Sequence, residues 1–170
     1  LQYFGRRRMT IEGGDIASIA GGVDDKDRSQ YLVNDGGWAV MVRMKGGNVR
    51  GSIYGAAAQA GSAGDRLFVF TGGTINGWVA GGANGTASDG GVTDGTTRLY
   101  IGGNTSVNSN ASQSVINRAV GGNVFGAGCG YSNSSSSGQV TNGTNVVIAD
   151  NAYIERGVYG GGSYGYCDNT

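Results

Sequence analysis

The stretch Gly46-Gly47-Asn48-Val49-Arg50-Gly51-Ser52-Ile53-Tyr54-Gly55-Ala56-Ala57 decides the architecture. It holds an apolar residue, three spacers, a second apolar residue, a variable residue and then a run of Gly or Ala. The pattern returns as Ile75-Asn76-Gly77-Trp78-Val79-Ala80-Gly81-Gly82 and as Val120-Gly121-Gly122-Asn123-Val124-Phe125-Gly126-Ala127. It returns again as Ile154-Glu155-Arg156-Gly157-Val158-Tyr159-Gly160-Gly161, and a degenerate copy, Asp15-Ile16-Ala17-Ser18-Ile19-Ala20-Gly21-Gly22, stands near the start. Such a repeat governs every other reading, because each unit hides its apolar face only against its neighbours.

Each copy follows a short apolar run and a Gly-rich turn. The runs are Met9–Ile11, Trp38–Met44, Arg66–Phe70, Arg98–Ile101 and Val146–Ile148. They are short, rich in β-branched and aromatic residues, and end in Gly or Asn, which is strand and turn chemistry. Tyr31-Leu32-Val33 reads as one further short strand. The aligned residues Ile19, Ile53, Val79, Val124 and Val158 are 34, 26, 45 and 34 positions apart. That scatter, with no long 3.6-residue periodicity, excludes a helical repeat. Short strands joined by turns of variable length predict an all-β protein, a parallel β-solenoid of about five irregular coils. Glycine suits its sharp corners. The absence of proline fits a ladder paired above and below.

Residues 1–8 are expected to be an arm or the end of a preceding coil, with Arg6-Arg7-Arg8 a solvated terminal run. Residues 9–170 are expected to be one solenoid domain. The chain starts at Leu1 and is expected to be a mature or excised segment of a longer protein, so a missing signal peptide says nothing about compartment. The outward loops are expected at 83–96, 105–114 and 134–137. Whether the extra residues between Ile101 and Val120 add a strand or lengthen a loop stays open.

The runs Ile53-Tyr54-Gly55-Ala56, Val124-Phe125-Gly126-Ala127 and Val158-Tyr159-Gly160-Gly161-Gly162, each after a short apolar strand, resemble the right-handed β-helix repeats of bacterial surface proteins. Autotransporter passengers and large Gly/Asn/Ser-rich adhesins are similar, over roughly residues 9–165. The resemblance is compositional and periodic, and rests on no single signature residue. It implies a secreted or surface-anchored solenoid, although a fold by itself does not decide function.

Composition narrows the chemistry. The 12 basic and 12 acidic residues balance, so no global field favours nucleic acid or anionic membranes. No apolar run approaches the ~18 residues of a spanning helix. There is no histidine, which removes the commonest general base and the Ser-His-Asp and Cys-His arrangements. It also leaves Cys129 and Cys167 unable to complete a usual zinc shell without carboxylates. No Gly-rich run is followed by Lys-Ser/Thr and a helix, which excludes a phosphate loop.

Four groups of residues remain as candidate sites. Cys129 and Cys167 follow equivalent positions in neighbouring coils, about 4.8 Å apart. A disulfide wants α-carbons about 5.5 Å apart, so a bridge stapling the last coil is expected, with free buried thiols or bridges to another chain as alternatives. Tyr54, Phe125 and Tyr159 share one position beside the corner, where Ala20 and Ala80 stand in the other coils. They form either an exposed ladder for stacking sugars or a covered ladder that stabilises the sheet. Asp24, Asp25 and Asp27, with Lys26 between them and Arg28 next in the same loop, are the calcium candidates. Pectin-cleaving β-helix enzymes use acidic residues, calcium and basic residues on one strand face. The spacing here lacks that of an EF-hand or a nonapeptide calcium repeat, so a solvated charged loop competes and no metal or other cofactor is assigned. Asp150, Glu155 and Arg156 form a last polar patch, expected to be an exposed ion pair. Sequons occur at Asn84, Asn104, Asn110, Asn133 and Asn142.

The expected function is therefore structural or adhesive and not enzymatic: a secreted or cell-surface stalk or fibre subunit presenting variable loops. Its partners would be carbohydrate or a host or cell surface, and further copies stacked end to end or a longer parent chain. A carbohydrate-binding or carbohydrate-cleaving β-helix is the alternative, and a trimeric phage tail-spike fragment a third.

Overall fold

The computed structural model describes residues 6–22, 38–56, 62–84, 91–109, 121–129 and 138–162. Among them there is no helix. The first unit supplies β1 (Arg7–Ile11), β2 (Asp15–Ile16) and β3 (Ile19–Ala20), and the second β4 (Trp38–Met44), β5 (Asn48–Val49) and β6 (Ile53–Tyr54). The third supplies β7 (Ser62–Ala63), β8 (Asp65–Ile75) and β9 (Val79–Ala80), and the fourth β10 (Thr93–Asp94), β11 (Thr97–Val107) and β12 (Val124–Phe125). The fifth supplies β13 (Thr144–Ile148), β14 (Tyr153–Ile154) and β15 (Val158–Tyr159).

These strands form three parallel sheets. The first runs β1-β4-β8-β11-β13, with β2, β5 and β14 paired along its far end. The second runs β3-β6-β9-β12-β15, and β7 pairs β10 in the third. Each sheet orders the units as the sequence does, so every unit lies on the one before it.

Register turns this order into side-chain rows. In the first sheet, Met9, Val42, Phe68, Leu99 and Val146 lie in one row, and Ile11, Met44, Phe70, Ile101 and Ile148 in the next inward row. Strand side chains alternate between faces, and residues that alternate with these rows, such as Arg8, Arg43 and Arg98, are exposed. A third row is Ile16, Val49, Ile75, Val107 and Ile154. The second sheet contributes Ile19, Ile53, Val79, Val124 and Val158, the residues that the repeat aligns. The middle members of these rows pack into one core, in which Phe68 and Phe70 meet edge to face at 5.9 Å. Burying each Phe side chain contributes about 1.5–3 kcal/mol.

Glycine acts at two corners. Gly14, Gly47 and Gly73 turn the chain between the first-sheet strands at φ of 91°, 95° and 98°, the left-handed region where a Cβ is costly. Gly21, Gly55, Gly81 and Gly126 each follow a second-sheet strand and lie against the next unit's backbone. A Cβ on any of them would strike the carbonyl oxygen of Gly55, Gly81, Gly126 or Gly160, respectively.

Three expectations need correction. The fourth unit's member of the third row is Val107, not Val120. Residues 110–120, Val120 among them, separate Val107 from the following corner and lie outside the described residues. The stretches 83–96 and 105–114 are not simply outward loops, since Ala83, Thr93, Thr105 and Val107 are buried and β10 and the end of β11 fall within them. Finally, β1 begins at Arg7 rather than Met9. Arg7 occupies an inward position beside Val40, where its guanidinium donates to the Gly21 carbonyl at 3.3 Å. Tyr31-Leu32-Val33 and residues 134–137 lie outside the described residues.

Candidate functional site

The second sheet has two faces. Ile19, Ile53, Val79 and Val124 point into the core. The residues that alternate with them carry the aromatic row, and register sets it as Ala20, Tyr54, Ala80, Phe125 and Tyr159. Phe125 and Tyr159 stack at 5.2 Å with 16° between their planes. Tyr54 meets Trp78 edge to face at 5.9 Å. Trp78, Ala80, Phe125 and Cys129 form a second apolar cluster, with Tyr54 packed against it.

This row is mostly covered. Phe125 is 4 % exposed, Tyr54 is half-buried and Tyr159 is 50 % exposed. Sugar stacking needs open ring faces, and among these three only Tyr159 is open. Burial pushes the Tyr54 phenol up to about 12, the nearby Cys129 sulfur adds to this, and a hydrogen bond with Ser52 partly offsets it. The sequence reading missed Trp78. Its signal was the alternation Trp78-Val79-Ala80, which puts Trp78 on the same face as the Ala80 position. The Trp78 indole N–H is buried without a partner among the described residues.

A second arrangement lies inside, at the start of the first sheet, in the row Arg7, Val40, Arg66, Thr97 and Thr144. Its polar members reach the corner carbonyls. The Thr97 hydroxyl donates to Gly126 O at 2.5 Å, and the Thr144 hydroxyl donates to Gly160 O at 2.5 Å. Arg66, wholly buried, donates to Gly55 O at 3.2 Å, to Ala63 O at 3.3 Å and to Gly64 O. Burial pulls its guanidinium down to about 10, partly offset by Asp65 and Asp94. A buried charge persists only where it is paired or hydrogen-bonded, and a ring of carbonyls suits five fixed N–H donors. These donors tie the start of the first sheet to the end of the second.

The remaining candidates are separated. Cys129 is a buried free thiol whose ionisation burial pushes well up. Its N–H donates to Ala83 O at 2.9 Å, and Asn84 faces it in an isolated bridge. The expected bridge is therefore not formed at Cys129, and Cys167 lies outside the described residues, as do Asp24, Asp25 and Asp27. Asp150 and Glu155 direct their carboxylates to the neighbouring unit rather than to a close ion pair, although the Arg156 charge also lowers the Glu155 pKa. Asp150 accepts from the Tyr100 hydroxyl at 3.1 Å and from Gly103 N–H at 3.0 Å. Glu155 accepts from Ser109 N–H at 2.6 Å and from its hydroxyl at 2.5 Å. Each carboxylate binds the unit beneath it, because stacking offers unpaired donors there. Of the sequons, Asn104 and Asn142 are exposed, Asn84 is half-buried, and Asn110 and Asn133 lie outside the described residues. Among the described residues no three His, Cys, Asp or Glu side chains gather as a metal site, and no helix is long and apolar enough to cross a membrane.

No family model, curated protein or solved structure matches the chain.

Proposed function

We propose that the chain is a parallel β-solenoid of five coils with a structural role, serving as a secreted or surface-exposed shaft, or as a fibre subunit, that presents variable loops. The observation that carries this reading is the fivefold register of the interior rows, in which each unit is roofed by the next. The interior hydrogen bonds of Arg7 to Gly21, Thr97 to Gly126 and Thr144 to Gly160 support closure of individual coils, since each joins the two ends of one unit. The similarity in style to the β-helix repeats of bacterial surface proteins supports the same reading. Phe68, Phe70, Leu99 and Ile101 fill the interior, so binding would fall to the outer loops and their contacts with carbohydrate or a cell surface.

The test is incubation with a panel of polysaccharides, scored for retention and for chain cleavage. Retention without cleavage makes the protein adhesive, and neither outcome makes it a scaffold. Cleavage that Asp24→Asn and Asp27→Asn abolish would replace this reading with that of a carbohydrate-cleaving β-helix.

A further inference from the structure

The large hydrophobic side chains left exposed among the described residues are Met9, Val147, Ile148, Tyr153, Val158 and Tyr159. All six lie in the first or the fifth unit, and none in the three between. Met9, Ile148 and Val158 belong to inward rows whose middle members, such as Val42, Phe70 and Val79, are 0–1 % exposed. They are core residues that no described residue roofs. The strands at the two ends, β1 and β3 below and β13 and β15 above, are the edges of their sheets. Exposed apolar edges of this kind mark an interaction surface.

We propose that the open edge of the fifth unit seats the first unit of a second copy of this chain, head to tail. The inference rests on the solenoid reading. It continues an interface that the chain already makes four times within itself. Following the rows, Thr144–Ile148 would pair with Arg7–Ile11 of the next copy, two strands of equal length. Tyr153–Ile154 would pair with Asp15–Ile16, and Val158–Tyr159 with Ile19–Ala20.

The backbone polarity is right for this. In the second sheet each unit donates upward, as Ile19 N–H does to Ser52 O, Val79 N–H to Asn123 O and Val124 N–H to Gly157 O. Val158 N–H would find Ser18 O of the next copy, and Gly160 N–H would find Ala20 O. The aromatic row fits too. Tyr54 lies between Ala20 and Ala80, whereas Tyr159 has Phe125 on one side and an exposed face on the other. Ala20 of the next copy would supply the small neighbour.

Gly160 gives an independent observation. Four corner glycines are forced by the carbonyl of the following unit. A Cβ at Gly160 would meet nothing within 4 Å, and its φ is not in the left-handed region. Among the described residues nothing opposes a side chain there. With a second copy in place, Gly160 meets the same constraint as Gly21, Gly55, Gly81 and Gly126. An interface between unlike surfaces that does not close generates an open filament.

The experiment is sedimentation of the full 170-residue chain over a concentration series, beside Gly160→Val. The parent is expected to grow with concentration past the dimer. Gly160→Val is expected to need at least about tenfold more protein to associate, with an unchanged melting temperature in dilute solution. Registry is read by oxidation of Ala20→Cys and Tyr159→Cys proteins, both in a Cys167→Ser background. Their mixture is expected to cross-link, and neither alone. A parent that stays monomeric, as when the chain's own residues or a continuing segment cover the fifth unit, overturns the proposal. So does a Gly160→Val protein that associates like the parent, or a Tyr159→Cys protein that cross-links with itself. A monomeric parent would leave the structural function standing, whereas polysaccharide cleavage would remove that function whatever the sedimentation shows.

Discussion

Gly55→Ala tests whether the stack is held as closely as the register implies. An added Cβ at Gly55 would lie 2.5 Å from the carbonyl carbon of Gly81, overlap its oxygen, and stand 3.2 Å from the Phe68 ring. Non-bonded carbons settle at about 3.5–4.0 Å, so the third unit must retreat from the second by roughly 1 Å. The Gly55 N–H now donates to Ala80 O at 2.9 Å and to Gly82 O at 3.0 Å. A retreat of that size carries both beyond hydrogen-bonding distance. Losing them costs about 1 kcal/mol each, and overpacking adds about 1–3 kcal/mol. The expected loss is therefore about 3 kcal/mol or more. For a domain of this size, each kcal/mol moves the melting temperature by about 2–4 °C, which predicts a fall of roughly 6–12 °C. The control is Gly161→Ala. It has nothing within 4 Å of its Cβ, and the preceding unit has Ala127 at the same place in the motif. That variant should match the parent or gain up to about 1 kcal/mol from the stiffer unfolded chain. Thermal unfolding followed by circular dichroism reads both. Equal melting temperatures for the two variants would refute the close stacking at this corner.

Two further outcomes follow from the polar groups. Arg66→Ala should lower stability by about 3–5 kcal/mol in urea unfolding, because it opens a cavity and orphans buried carbonyls. Arg66→Lys should restore less than half of that, since an ammonium cannot span the Gly55, Gly64 and Ala63 carbonyls, and a loss below about 1 kcal/mol for Arg66→Ala would show that Arg66 is not needed to satisfy them. The carboxyls of Glu12 and Glu155 should both titrate below the usual glutamate value, Glu12 through its hydrogen bond and ion pair with Lys45 and Glu155 chiefly through the Ser109 hydroxyl and N–H, with a smaller contribution from the Arg156 charge. A depressed folded pKa gives stability that is complete above the unfolded value and lost as pH falls through the folded one. In NMR titrations, 1 M salt should move Glu12, whose pair with Lys45 at 2.8 Å is solvent-exposed, back toward its ordinary value and leave Glu155 low. Equal salt responses would argue against the separate causes.

What the sequence disclosed depended on whether a position was marked by a constraint on residue type. The row through Ile19, Ile53, Val79, Val124 and Val158 was legible because backbone contact one unit away forces Gly two residues later in the first four of these units. A steric demand of that kind leaves a mark at every repeat. The row through Ile16, Val49, Ile75, Val107 and Ile154 had no such mark in the fourth unit. Residues 110–120 separate Val107 from the following corner, and Val120 offers a better-looking spacing. A strand's interior registers only hydrophobicity, which many residues satisfy.

Arg66 shows a different limit. In sequence it opens the run Arg66–Phe70, and nothing along the chain marks it as buried. Its burial is a property of the corner, where the chain turns and leaves carbonyls pointing inward with no strand to accept from. Arg7, Thr97 and Thr144 serve the same need with different side chains, and Val40 occupies the same row without serving it. A requirement met by Arg, by Thr or by nothing leaves no pattern along the chain.

The ends of the stack join these two cases. Gly160 follows the corner rule although nothing among the described residues enforces it, and Val158 and Ile148 follow the interior rule although none of the described residues roofs them. The proposed second copy would supply the missing reason at these positions. The same logic says where substitutions are silent. In dilute solution, changes at Gly160 or Gly161 touch nothing, while a change at Gly55, identical in its local sequence role, displaces a whole unit. On the proposed head-to-tail association, the distinction between these glycines is one of assembly and not of local conformation. Melting in dilute solution therefore reads the constraint at Gly55, and association over a concentration series reads the one proposed at Gly160.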